Sequence, residues 1–295
     1  MSSTLRIAVG SILVGLAVLA LKLLAWWMTG SVALLSDALE STVNVATALA
    51  ALIAIRVAAM PADSGHPYGH HKAEFFSAVL EGVMIIVAAL LIMREAWLGL
   101  FDPPVLDQPF GGMAVNALAG VVNAGWCWIL ITRGRSLKSP ALVADGRHLL
   151  TDVISSAGVL IGVTLAVLTG WTVLDPILAG VVGVHILWAG WKVTAASVSG
   201  LMDEAVPEAT LEDIRAIISD KASGAIEAHD LRTRHAGRVT FIDFHLVVDG
   251  QTTVEEAHAI CDRIEQSLRA RLDEAEITIH VEPDHKAKHS GVVVL

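Results

Sequence analysis

The sequence predicts an α-helical membrane protein: a bundle of six transmembrane helices followed by a small cytoplasmic α+β domain of order αββαβ. Three observations carry this. Of 295 residues, 54% are hydrophobic and only 17% charged, and the mean hydropathy is +0.63, too apolar for an ordinary soluble domain. The apolar residues concentrate before about residue 200, in runs long enough to cross a bilayer. Beyond that point charges and period-two alternation take over. The expected division is a six-helix transmembrane domain over 1–202 and a cytoplasmic αββαβ domain over 203–295 that ends in a loose tail.

The spans are expected at roughly 6–28, 32–59, 75–100, 110–132, 141–169 and 175–199. The first is too long for a signal peptide and lacks a cleavage site. Arg133, Arg135 and Lys138 lie between spans four and five, and Arg56 and Lys72 flank the connection between spans two and three. The other connections carry Asp102, Asp107 and Asp175 without Lys or Arg. By the positive-inside rule both termini and both basic loops face the cytoplasm. Trp26, Trp27, Trp97 and Trp171 near span ends read as an aromatic belt.

After Asp203, "PEATLEDIRAIISDKA" opens on Pro207 and reads as an amphipathic helix. "AIEAHDLRTRHAG" and "RVTFIDFHLVVDG" read as two strands joined at a Gly turn, "TVEEAHAICDRIEQSLRARL" as a second helix and "AEITIHVEP" as a third strand. Cys127 and Cys261 form no CxxC pair or disulfide framework, which fits a reducing compartment for the C-terminal domain. The net charge of -10 carries no basic stripe, so no nucleic-acid partner is expected.

Polar residues inside the spans carry the chemistry. In "SDALESTVN" of span two, Asp37, Glu40 and Asn44 stand at offsets of three and seven, which keeps them within about 60° of one another on a helix. In "ADGRHLLTD" of span five, Asp145, His148 and Asp152 repeat those offsets. A single buried polar residue in a span is often a helix–helix hydrogen-bond partner. Two matched stripes of costly ionisable groups point instead to a pathway or site. Facing each other, Glu40, Asn44, His148 and Asp152 would give a four-ligand site for a divalent metal, with an imidazole at which protons compete. In the connection "PADSGHPYGHHKAE", Asp63, His66 and His70 can converge on a second metal, because Gly65 and Gly69 permit sharp bending; the alternative is a solvated His-rich loop.

Six spans, a polar quartet split between the second and fifth, and a C-terminal αββαβ domain resemble the cation diffusion facilitator family, most of all its bacterial zinc and ferrous-iron efflux branch. The likeness covers nearly the whole chain and includes "GHHKAE" at 69–74 and "AHDLRTR" at 228–234. It implies a homodimeric exporter of divalent metal, zinc first, that exchanges metal for protons by alternating access across the bacterial cytoplasmic membrane. Manganese, ferrous iron, cobalt and cadmium are the alternatives. It implies transport ligands at Glu40, Asn44, His148 and Asp152, with Asp37 and Asp145 supporting them. It further implies a loop site at Asp63, His66 and His70, and a pairing of Lys72 with Asp203. In the C-terminal domain it implies a metal pair held by His229, His245, His258, His280 and Glu282. Members with zinc specificity carry DxxxD or HxxxD in span two, whereas this chain has ExxxN. The neutral Asn44 removes charge and adds hard-oxygen character. An intramembrane metalloenzyme would need several clustered His boxes, and a metal sensor would need no quartet in the membrane. The chain is therefore expected not to be an enzyme.

Overall fold

The computed structural model describes residues 3–29, 32–101, 110–171, 173–272, 274–289 and 292–293, and the side chains of Asp37 and Glu40 lie outside the described residues. The connection holding Asp102 and Asp107 also lies outside them. The chain divides into two compact units, Met1–Val198 and Ser199–Leu295.

The first unit is helical throughout. Its helices are α1 (Ser3–Thr29), α2 (Val32–Ala58), α3 (Ala73–Gly99), α4 (Phe110–Ser136), α5 (Pro140–Thr169) and α6 (Leu174–Leu201), which runs into the second unit. Among the described residues, α1, α3 and α6 each contain a stretch long and apolar enough by itself to cross a membrane, whereas in α2 only Asn44–Ala58 qualifies as a shorter apolar helix.

Two apolar seams hold the bundle. Ala8 of α1, Ala51, Leu52 and Ile55 of α2, Leu130 of α4 and Leu142 and Leu149 of α5 form one. Ala78, Ile85 and Ala89 of α3, Ala144 of α5 and Ile186 and Val193 of α6 form the other. Large apolar side chains such as Leu13, Ile53, Leu90, Val121 and Trp188 face outward, as expected of a surface meant for lipid. Trp27, Trp97 and Trp171 are also exposed. The helices approach closely where a side chain is missing. A Cβ on Gly146 would stand 3.0 Å from the Ile131 backbone nitrogen of α4, so α5 reaches α4 at that position through glycine.

The second unit is an α+β sandwich of two layers. α7 (Glu208–Lys221) precedes the hairpin of β1 (Ala225–Ala236) and β2 (Val239–Val248). Ala236 pairs with Val239 across a two-residue turn, and Gly237 sits there at φ 58°, a conformation that favours glycine. α8 (Val254–Arg271) crosses over to β3 (Ala275–Pro283), which pairs parallel with β2. A capping box starts α8: Thr253 accepts from the Glu256 N–H, and the Glu256 carboxylate accepts from the Thr253 N–H. The expected loose tail is different in one respect. After a 3-10 turn at Asp284–Lys286, β4 (Val292–Val293) pairs antiparallel with Glu227 and Ala228 of β1, giving the sheet order β3-β2-β1-β4. Two apolar β-branched residues suffice for so short an edge strand.

The main core fills one face of this sheet, and a smaller buried cluster of Ala236, Val239 and Phe241 lies on the other. Ile242, Phe244, Leu246 and Val248 of β2 pack with Ile214 and Ile218 of α7 and with Ile260, Ile264 and Leu268 of α8. By the strand alternation, His245 points to the opposite face.

Candidate metal sites

Asn44 of α2 and His148 and Asp152 of α5 converge inside the helical unit. All three are buried. His148 Nε2 donates to Asn44 Oδ1 at 2.9 Å, and Asn44 Nδ2 donates to Asp152 Oδ2. The offset of four on α5 places His148 above Asp152 on one face, and the amide bridges them. Around them is a repeated local device. Thr47 donates to the Asn44 carbonyl at 3.0 Å, Thr151 to the His148 carbonyl at 2.6 Å and Ser155 to the Asp152 carbonyl at 3.0 Å. Each hydroxyl, three residues on, satisfies its own polarity within the helix. Glu40 lies one turn before Asn44 on α2, but its side chain is outside the described residues, as is that of Asp37.

Asp145 is buried one turn before His148, and Ser11 of α1 donates to its Oδ2 at 2.5 Å. It thus ties α1 to α5 instead of joining the bridge made by Asn44. A further acid sits in this unit, Glu81 of α3, at 0% exposure. A lone glutamate in "AVLEGVMIIV" is a polar signal of the same kind as those in α2 and α5, but without a matched stripe beside it.

The connection from α2 to α3 brings Asp63, His66 and His70 together, their ligand atoms all within 4.8 Å. Asp63 Oδ1 accepts from the N–H groups of Gly65 at 2.8 Å and His66 at 2.7 Å, which fixes the turn. His66 Nδ1 stands 3.3 Å from Oδ1 and His70 Nε2 3.4 Å from Oδ2. The backbone N–H of His66 leads in holding the Asp63 carboxyl below its usual range, so it is an anion here at neutral pH.

In the second unit three strands line up three histidines. His229 of β1 is opposite His245 of β2, and His245 is opposite His280 of β3. Their ring centroids are 5.3 Å and 4.9 Å apart in turn. Glu282, two residues beyond His280 and on the same face, reaches His229 Nε2 at 3.2 Å, His245 Nδ1 at 3.3 Å and His280 Nε2 at 3.7 Å. His229 Nε2 and His245 Nδ1 are buried and have no hydrogen-bond partner among the described residues. Nitrogen lone pairs aimed at a carboxylate fit a divalent cation held between them. Behind His229, the buried Glu227 accepts from its Nδ1 at 2.9 Å and orients the ring. Burial pushes the Glu227 carboxyl up, but the N–H of Lys288, the His229 ring and the N–H of His289 outweigh this and hold it below its usual range.

Asp230, absent from the sequence expectation, can join His229 and His245 as a ligand. It has φ 52°, at a register shift between His229 and Arg232. Such a bulge re-aims a side chain and leaves no mark in the residue spacing. Lys288 Nζ stands 2.6 Å from its carboxylate. His258 is not brought to the row. It is exposed on α8, 3.6 Å from Asp262, because α8 covers the other face of the sheet. Asp203 accepts from Arg234 Nη1 at 3.0 Å within the second unit.

A helical membrane unit with buried carboxylates and an imidazole between two helices, joined to an α+β unit with a histidine row, defines a class: a membrane transporter of metal cations. Residues 8–202 match the cation efflux transmembrane domain family and residues 206–284 the cation efflux protein cytoplasmic domain family. The chain is 46% identical over 276 residues to an uncharacterized transporter, sll1263, of Synechocystis, covering 94% of this chain and 89% of that one. It is 32% identical over 282 residues to the cation-efflux pump FieF of Salmonella paratyphi A, covering 94% and 92%. Among solved structures it resembles CzrB in a Zn form, at 47% identity over 29% of this chain and 98% of that one, with a TM-score of 0.28. The chain belongs to the cation diffusion facilitator, or cation efflux, family. Members of this family are transporters and not enzymes.

Proposed function

We propose that this protein is a homodimeric metal/proton antiporter of the bacterial cytoplasmic membrane, with both termini in the cytoplasm, and that zinc is its first substrate. The observation that carries this reading is the meeting of Asn44, His148 and Asp152 between α2 and α5, in an interior where ionisable groups are costly unless used. Glu40, one turn before Asn44, completes the ligand set. Metal enters from the cytoplasm, the bundle rocks, and protons displace the metal on the far side. His148 favours a borderline metal, and the neutral Asn44 narrows the margin of zinc over manganese, ferrous iron, cobalt and cadmium. Asp63, His66 and His70 hold a second ion, and His229, His245, His280, Glu282 and Asp230 hold structural metal that favours the dimer. Asp145 supports the transport site from α5 through Ser11 of α1.

The test is zinc uptake into proteoliposomes under an imposed proton gradient. Asp152→Ala abolishes uptake, and undiminished uptake in this variant would overturn the assignment of the transport site.

A further inference from the structure

Glu81 lies mid-helix on α3 with no exposed surface. Ser77, one turn earlier, donates its hydroxyl to Oε1 at 3.3 Å, while Oε2 has no hydrogen-bond partner among the described residues. The surrounding wall is aliphatic, with Ala78 and Ile85 of α3, Ala144 of α5 and Ile186 of α6 packed together. Asp145, the residue after Ala144 in this cluster, is a second buried acid on the facing helix α5.

The other charged groups on α3 and its neighbours do not compensate Glu81. Glu74 is bonded by Ser139, and Arg94 and Glu95 pair with each other on the surface. Arg56 of α2 and His185 and Lys192 of α6 are exposed, and Arg147 of α5 is half-buried and interacts with Arg135. His148 is one turn from Asp145 and bonded to Asn44. The side chains of Asp37 and Glu40 lie outside the described residues.

Two buried carboxyls in such a wall cannot both be ionised at neutral pH. Each bare charge costs several kcal/mol in a low-dielectric interior, and their repulsion adds to that. One proton stays with the pair until positive charge arrives nearby. We infer that Glu81 is a proton-carrying residue of the transport cycle, protonated before a divalent cation binds at Asn44, His148 and Asp152 and ionised once it has bound. The acid O–H bond breaks, the electron pair stays on the carboxylate, and the proton leaves to solvent. This rests on the metal/proton exchange proposed above.

The test uses the full-length purified protein and zinc alone, titrated calorimetrically in buffers of different ionisation enthalpy to count protons released per zinc. Glu81→Gln releases about one proton fewer than the parent, its zinc affinity weakens less steeply as pH falls, and Glu81→Asp restores the parent count. Ligands of the loop and C-terminal sites are common to all three proteins, so their protons cancel. An equal count in parent and Glu81→Gln overturns the role of Glu81. A parent that releases no protons overturns the exchange reading instead. If Glu81→Gln does not survive purification, the parent's infrared difference spectrum decides: zinc must bleach a protonated-carboxyl band, and its absence overturns the inference.

Discussion

Asn44 uses both ends of its amide, accepting from His148 and donating to Asp152. The side chain thereby holds the two α5 residues in register. An aspartate at this position could accept from His148 but would face Asp152 as a second anion, and the pair would need a proton or a cation to coexist. Asn44→Asp is therefore expected to tighten zinc binding at high pH, to make that affinity more sensitive to acid and to favour zinc over manganese. Calorimetry with zinc, manganese, ferrous iron and cadmium on both proteins checks this, and an unchanged order of preference would show that Asn44 does not set selectivity. The convergence of Asn44, His148 and Asp152 was legible because a regular helix turns residue spacing into a shared face. Asp230 was not, because a bulge with a left-handed residue breaks the strand alternation on which spacing arguments depend.

At the scale of elements, α5 carries His148 and Asp152 of the proposed transport site and is placed by close approach to α4. An alanine methyl at Gly146 would meet the Leu130 Cβ at 2.9 Å and the Ile131 nitrogen at 3.0 Å, and backbone does not give way as a flexible side chain would. Gly146→Ala should cost about 1–3 kcal/mol and displace His148 and Asp152 together. A lowered unfolding midpoint in detergent with reduced zinc uptake is expected; unchanged values for both would mean that the helices separate without consequence. The capping box of α8 makes a pH statement possible. The Thr253 N–H holds the Glu256 carboxyl below its usual range. A depressed folded pKa gives a contribution that is complete above the ordinary glutamate range and lost as pH falls through the lower folded value. Lower amide protection factors in the first turn of α8 are expected only below that range, and protection factors unchanged down to strongly acidic pH would contradict it.

For the whole molecule, the two architectures were legible because their periodicities differ: long apolar runs in one part, alternation and amphipathic helices in the other. The strands and helices of the C-terminal unit follow from that alternation. Placing β4 did not, since two valines in a short polar tail carry no period. The periodicity of α8 identifies a helix, yet the placement of His258 depends on which sheet face that helix covers. The histidine row lies on the other face, away from the core helices, where a second copy of this acidic chain, at -10 net charge, would meet its own repulsion. Metal bound on that face, as proposed, would offset the charge. Chelation should lower the dimer fraction in sedimentation, zinc should restore it, and His245→Ala should blunt the restoration; a dimer indifferent to chelator would separate assembly from metal.

The hydroxyls of Thr47, Thr151 and Ser155 bear on which cations could shed their water between α2 and α5. They already occupy the carbonyl oxygens of Asn44, His148 and Asp152. Calcium takes about six to eight oxygens, and magnesium surrenders its hydration water reluctantly. A pocket whose backbone oxygens are withheld can replace only a small part of either ion's shell. If Glu40, Asn44, His148 and Asp152 are the ligands, as proposed, softer cations are expected to be dehydrated there while calcium and magnesium stay in water.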